Sequence, residues 1–298
     1  MNVVLLKNSR IDREKYDRCI ENSPYGSIYA LSWYMDVVSP NWKLLMAEDY
    51  TYVMPLPVRW KFGILPYVIQ PVLCQQLGLF SIHEVSLKVM KSFLKKIRFP
   101  FILFQLNSGN TLLVKNLKLR PNYLLDLNKP YWELQKAYRR DTRYDLKKAS
   151  ANNLFYNKEL SVNDFLSFVS EHSKYYSGTI FPYLKKLINA ASAHDAMILR
   201  SVHKKETGEV LSGVFFLRFK NRYYYLCSVT SLEGKSFLSM RYLLDKFIEE
   251  GAGTPMILDF EGSTIPSVAL FYESFGSVFE NYPRYYKSYL PFVSKVRF

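Results

Sequence analysis

The sequence predicts a mixed α/β fold of the α+β type, and three observations predict it. Strand-like runs at 196–203, 210–219 and 223–230 are separated by the turn signals Thr207-Gly208 and Lys220-Asn221-Arg222, as in an antiparallel meander. A helix led by Gly234 follows, then a strand reading Ile257-Leu258-Asp259-Phe260-Glu261-Gly262-Ser263 and a segment Leu270-Phe271-Tyr272-Glu273-Ser274-Phe275-Gly276. Helix-period stretches precede the meander. That order builds a mixed sheet with one loop-to-helix corner, where backbone N–H groups can receive a polar or anionic group. At 298 residues the chain exceeds the usual single-domain size, so two domains are expected.

The first part of the chain alternates helix and strand signals. Residues 12–21 form a short helix candidate ended by Asn22-Ser23-Pro24-Tyr25-Gly26. Ser32 is a cap for a second helix over 33–38, which Pro40 terminates. Strands are expected at 42–46, 52–58 and 67–73, with Glu48-Asp49 as a hairpin break and 60–63 as a turn. Val85, Val89, Phe93 and Ile97 share one face of a helix over 84–97, and 101–106 reads as a buried strand. Near Asn128 and Pro130, a cap and a first helical position, the pattern changes from strand to helix. The boundary is placed there: domain one is 1–128 and domain two 129–298. The second domain opens with one basic amphipathic helix over 131–150. A short strand at 154–156 and helices at 161–170 and 181–192 lead into the meander.

Composition excludes several classes. Apolar residues make up 49% and aromatics 16%, enough for a packed core. No stretch approaches the ~18–20 continuous apolar residues of a membrane helix, so no integral membrane segment is expected. The first ten residues lack a signal peptide's pattern, and the expected address is the cytoplasm. Cys19, Cys74 and Cys227 lie far apart, which argues against a disulfide framework. The four histidines never fall at metal-ligand spacing, so no metal site is expected. A serine or cysteine hydrolase has nothing in its favour, since G-x-S-x-G is absent. The net charge of +14 suits a polyanionic partner, such as RNA, a nucleotide-bearing cofactor or an anionic membrane surface, or equally an ordinary basic surface.

Four constellations carry candidate chemistry. On a continuous helix over 131–150, Lys136, Arg139, Arg140, Arg143 and Lys147 fall within about a 100° arc. This is either a solvated face or a rail for phosphate, for which arginine's forked donors are suited. Gly234 and Lys235 in Ser231-Leu232-Glu233-Gly234-Lys235-Ser236 open a helix whose N-terminus could hold the polar part of a donor, or simply join a strand to a helix. Asp259, Glu261 and Glu273 are candidate bases for proton removal from an attacking amine, while Asp259 alternatively orients the Glu261-Gly262-Ser263 turn. The tyrosines at 223–225 and 282–289 suit strands, with base stacking as the other reading.

The string Tyr123-Leu124-Leu125-Asp126-Leu127, then Trp132 and the helix with Arg139, Arg140, Arg143, Lys147 and Ala149, resembles the FemAB-like branch of the acetyltransferase superfamily. Gly251, Asp259-Phe260-Glu261-Gly262-Ser263 and Phe271–Phe275-Gly276 resemble it in matching order, and Ser32-Trp33 and Val53-Met54-Pro55-Leu56-Pro57 are similar to its N-terminal half. The resemblance implies two tandem GNAT (acyl-CoA N-acyltransferase)-like domains. It implies transfer of an acyl or aminoacyl group to an amine of a cell-envelope or polysaccharide precursor, from acyl-CoA or aminoacyl-tRNA, with no permanently bound cofactor. In that setting Glu261, Glu273 and Asp259 are the catalytic candidates, and Arg139, Arg143, Gly234, Lys235 and Tyr272 the substrate-binding ones. The chain departs from the cross-bridge-building members in having no lysine in 271–275. It also lacks the R-x-x-G-x-G pattern of coenzyme A users and a long helical arm. A noncatalytic tRNA- or RNA-binding module on the same fold is the rival reading.

Overall fold

In the computed structural model the described residues are 1–113, 117–176 and 178–289. They form two compact units, one running Met1–Pro121 and resuming at Asn281, the other Asn122–Glu280. The strand-to-helix change near Asn128 predicts a division at 128/129, with everything after it in the second domain. Here the division falls inside a strand, where no linker composition marks it, and the chain from Asn281 rejoins the first unit. Residues 290–298, assigned to the second domain from the sequence, lie outside the described residues.

The first unit contains, in order, β1 (Val4–Lys7), α1 (Arg13–Asn22), α2 (Ser32–Val38), β2 (Lys43–Ala47), β3 (Tyr52–Leu56), β4 (Val58–Lys61), β5 (Leu65–Ile69), β6 (Phe80–Ser81), α3 (Leu87–Lys96) and β7 (Phe101–Gln105). Strands β1, β2, β3 and β6 make an antiparallel sheet, with Leu5 opposite Leu45, Leu45 opposite Met54 and Val53 opposite Phe80. Helix α1 begins where the Asp12 carboxylate accepts the Lys15 N–H at 3.1 Å. Ser32 is not the side-chain cap expected for α2. It is the first residue of that helix, and the Asp17 carboxylate takes its N–H at 2.7 Å and also its hydroxyl. A carboxylate fifteen residues upstream thus does what a local hydroxyl was expected to do. Trp42, Tyr16 and Tyr34 fill the core between the helices and this sheet.

The second unit begins within β8 (Lys118–Asp126) and continues through α4 (Tyr131–Lys136), α5 (Arg140–Ser150), β9 (Leu154–Asn157), α6 (Val162–His172) and α7 (Phe181–Ala193). The meander β10 (Met197–Lys204), β11 (Val210–Phe219) and β12 (Arg222–Thr230) follows. The unit closes with α8 (Leu232–Ser236), α9 (Ser239–Gly251), β13 (Ile257–Asp259) and α10 (Pro266–Glu273). Its strand order is β8-β13-β12-β11-β10-β9, with β12 and β13 parallel and the other pairs antiparallel. The crossover from β12 to β13 runs through α9, as a parallel pair requires. Leu243, Leu244, Phe247 and Ile248 of α9 pack on Val214 and Phe216, with the Phe216 and Phe247 rings stacked 3.9 Å apart. Finally β14 (Val278–Ser288) returns to the first unit, where Arg284–Ser288 pair with Phe101–Gln105 of β7.

The single helix expected over 131–150 is two helices. The chain breaks at 137–139, where Tyr138 is buried with its ring 5.3 Å from Phe275 and the Arg139 N–H donates to the Ser274 carbonyl at 3.0 Å. Gly276, at φ +79, brings its Cα close against Ala137, so close that a Cβ there would lie 2.9 Å from the alanine's. These contacts come from the far end of the unit, and no residue in 131–150 signals them.

Candidate active site

Strands β12 and β13 run parallel for only three residues. Arg222–Tyr224 face Ile257–Asp259, and β12 then continues to Thr230 paired with β11 alone. One edge of β12 beyond Tyr224 therefore has no strand partner among the described residues. Two local features cause the parting. On β12, Phe215 pairs with Cys227 and Phe216 with Tyr225, so Leu226 is an extra, bulged residue. On β13, the strand stops at Asp259, whose carboxylate meets Arg222 Nη1 at 2.9 Å and accepts the Glu261 N–H at 2.8 Å.

That turn sets Glu261 at φ +62, a left-handed conformation costing a non-glycine residue about 1–2 kcal/mol. Phe260 enters the core, and the Glu261 carboxylate is near enough to Tyr176, Cys227 and Tyr272 for its charge to act on each. Burial raises the pKa of each of these three groups, and the charge on Glu261 adds to each rise. The Tyr176 hydroxyl donates to the carbonyl of the bulged Leu226 at 3.2 Å. Tyr176, supplied by the segment between α6 and α7, thus meets β12 at its bulge.

Tyr272 stacks on Phe260 with ring centroids 5.2 Å apart and lies 5.9 Å from Tyr123 and 6.0 Å from Tyr225. Glu273, the last residue of α10, is exposed and bonded to Tyr123, whose pKa is raised first by burial and then by that carboxylate. Glu261, Tyr272 and Glu273 are therefore arranged around one aromatic cluster. Glu261 lies on its inner side and Glu273 at its solvent side.

The other residues singled out from the sequence are placed differently. Asp259 is fully buried; burial raises its pKa, against Arg222, the Glu261 N–H and Asn122, which lower it. These are the contacts of a turn-orienting residue. Arg139 is the residue that precedes α5, at its N-cap position, and stands 3.6 Å from Asp141. With Arg140, Asp141 and Tyr144 it lines a surface pocket of about 610 Å³. Arg143 points elsewhere: its Nη1 donates to the Lys136 carbonyl at 3.2 Å and to that of Tyr138, capping the end of α4. The five-residue cationic stripe expected on one helix is thus divided between two.

Gly234 is buried. Its N–H is taken by Ser231 Oγ at 3.0 Å and its carbonyl by Ser239 Oγ at 2.9 Å. A Cβ at that position would lie 2.2 Å from the Leu211 carbonyl oxygen, so close packing accounts for the glycine. Lys235 is exposed beside it.

Tyr176, Cys227 and Arg222 were not singled out from the sequence for roles here. Tyr176 comes from a loop some fifty residues before Leu226 in the chain, and nothing local marks it. The Arg222-to-Asp259 pair forms across strands whose parallel pairing only the structure shows. A second cavity, of about 280 Å³, lies beside α9 and includes Asp195, Arg200, Arg218, Tyr223 and Glu250. Among the described residues no three His, Cys, Asp or Glu side chains are grouped as metal ligands. No helix among them is long and apolar enough to cross a membrane.

No protein-family model matches the sequence, nor does any curated protein sequence. Solved structures do match. FemX aligns with a TM-score of 0.66 over 95% of this chain and 96% of its own, at 14% identity. L-PGS from Bacillus licheniformis aligns at 0.56 over 92% and 91%, with 13% identity. A tandem GNAT protein from the clavulanic acid biosynthesis pathway aligns at 0.54 over 96% and 98%, with 8% identity. At such identities the likeness is one of fold. The chain has the mixed α/β, tandem GNAT-like fold that its FemAB-like sequence features imply.

Proposed function

We propose that this chain is an acyltransferase that moves an acyl or aminoacyl group onto an amine of a cell-envelope or polysaccharide precursor. The observation that carries the proposal is the parting of β12 and β13 at the turn that holds Glu261, whose charge acts on Cys227 of β12. Acyl transfer needs a base at the attacking amine and hydrogen-bond donors at the carbonyl oxygen. Glu261 supplies the base, taking a proton from the ammonium so that its nitrogen lone pair can attack the acyl carbon. The unpaired edge of β12 supplies backbone N–H donors for the oxyanion that forms. When the tetrahedral intermediate collapses, the donor's thiolate or ribose oxygen leaves and takes up a proton. That proton is the amine's second one, lost by the nitrogen as it bonds to the acyl carbon; the Tyr272 phenol, which burial keeps protonated, relays it by giving its own proton to the leaving group and taking this one. Glu273, further out on the same cluster, is the alternative base. The donor, acyl-CoA or aminoacyl-tRNA, and the envelope acceptor rest on the FemAB-like resemblance.

Thermal stability of the chain against acyl-CoA thioesters, charged and uncharged tRNA and nucleotide-sugar precursors tests the donor and acceptor classes. A ligand at ~100 times its dissociation constant stabilises by about 2.7 kcal/mol. With a donor in hand, Glu261→Gln is expected to lower turnover by roughly 10²–10⁴-fold while donor stabilisation persists. Wild-type turnover in both Glu261→Gln and Glu273→Gln would remove both from the base role.

One observation favours a second reading. Arg139, Arg140 and Tyr144 line a surface pocket, with the Tyr144 ring 59% exposed, a combination suited to RNA phosphate and base. A noncatalytic RNA-binding module predicts affinity falling steeply with salt and indifference to both carboxylate substitutions.

A further inference from the structure

Strands β4 and β5 form a hairpin in the first unit, with Val58 opposite Val68 and Lys61 opposite Leu65. Its tip closes where the Ile64 N–H donates to the Lys61 carbonyl at 3.3 Å. The two central residues of that turn, Phe62 and Gly63, have φ of +55 and +72. Asn-Gly is the pair such a turn prefers; a phenylalanine at its first central position is strained. Burial does not offset the strain, because Phe62 is 86% exposed, Ile64 80% and Trp60 46%. A single exposed apolar side chain is ordinary, but three gathered on one tip mark an interaction site.

The charge around the tip is of one sign. Arg59 and Lys61 flank it, and neither has an ion-pair partner among the described residues. Lys61 Nζ sits 5.4 Å over the Phe62 ring, and Lys43 Nζ lies 5.9 Å from Trp60 and 5.7 Å from Phe99. Between Tyr50 and Leu125 the sequence has ten lysines and arginines against Glu84 alone, so the hairpin belongs to a strongly cationic stretch. A tip of three side chains is too small for a stable protein interface, which needs ~800 Å² per partner. Apolar side chains with an interfacial tryptophan and a basic collar fit a bilayer surface instead.

We infer that the β4–β5 hairpin docks this protein on an anionic lipid bilayer, Phe62 and Ile64 entering the acyl boundary while Arg59, Lys61 and Lys43 meet lipid phosphates. The inference stands apart from the acyl-transfer reading, because the hairpin contributes no residue to the site around Glu261.

The test is sedimentation of the full chain with vesicles of phosphatidylcholine alone and of phosphatidylcholine mixed with phosphatidylglycerol. The wild type is expected to bind the mixed vesicles, to bind neutral ones weakly, and to release as salt rises. Phe62→Asn with Ile64→Ser removes the apolar tip while giving the turn a residue it prefers. The double variant is expected to melt no lower than wild type and to bind mixed vesicles at least ~10-fold more weakly. Arg59→Gln with Lys61→Gln is expected to flatten the salt dependence. Equal vesicle binding by the wild type and the tip variant would overturn the inference. So would failure of the wild type to bind mixed vesicles, or loss of self-association rather than of vesicle binding in the tip variant.

Discussion

Gly234→Ala separates a packing role for this glycine from a ligand-binding one. Helix propensity alone predicts a gain of about 1 kcal/mol from this change. The surroundings predict the opposite sign. The new Cβ would fall 2.2 Å from the Leu211 oxygen, 2.9 Å from its carbon and 2.7 Å from Ser239 Oγ. Separating these groups to ordinary contact moves a backbone carbonyl or α8 itself by about 1 Å, in an interior packed at crystal density. The Leu211 carbonyl also accepts the Ser231 N–H at 3.0 Å, and the Ser239 hydroxyl bonds the Gly234 carbonyl, so relief breaks one of those bonds. Overpacking costs about 1–3 kcal/mol and a lost buried hydrogen bond about 1, against the propensity gain. The expected net loss is about 2 kcal/mol, a fall of roughly 4–8 °C in Tm for a unit of this size. Calorimetry and urea unfolding followed by circular dichroism read it, with the exposed Lys235→Ala as a control expected within about 0.5 kcal/mol of wild type. A Gly234→Ala chain as stable as wild type would refute the close approach and return the glycine to a ligand role.

Other outcomes are expected. Burial raises the pKa of Asp245, which accepts the Tyr131 hydroxyl at 2.8 Å, so its stabilising contribution is full below the unfolded value and is lost as pH rises through the folded one. Urea unfolding of Asp245→Asn against wild type across that window should show the wild type losing ground as pH rises. Glu250 behaves in the opposite sense. Burial opposes its ionisation, but bonds from Arg200 at 2.6 and 3.1 Å and from Tyr156 at 2.8 Å outweigh it and lower its pKa. Its contribution is therefore present above the unfolded value and lost as pH falls through the folded one. Arg200→Met is expected to cost about 2 kcal/mol at neutral pH and to shrink that acid dependence, measured by the same titration. Burial pushes the Cys19 thiol up to about 12 and raises Cys227 too. Neither should react with iodoacetamide at pH 8 in the folded chain, which mass mapping of the alkylated cysteines checks.

The sequence by itself determined the elements whose signals are local. The meander, a helix after it and strand β13 follow from periodicity and turn residues, and the tandem GNAT-like fold from the FemAB-like resemblance. Glu261 and Glu273 were legible as candidates because a strand end and the following helix place carboxylates near a sheet edge. Other decisions were tertiary. The break at 137–139 depends on Phe275, Ser274 and Gly276, more than a hundred residues away, and it divides the expected arginine stripe so that Arg143 caps a helix. Asp259 became a turn-holder because Arg222 lies across the parallel pair. Tyr176 reached Leu226 only through folding, and β14 returned to the first unit by pairing with β7. Periodicity reports which face of an element is apolar. Which distant residue meets that face, and which polar groups are left enclosed there, depends on contacts that no short window of sequence contains.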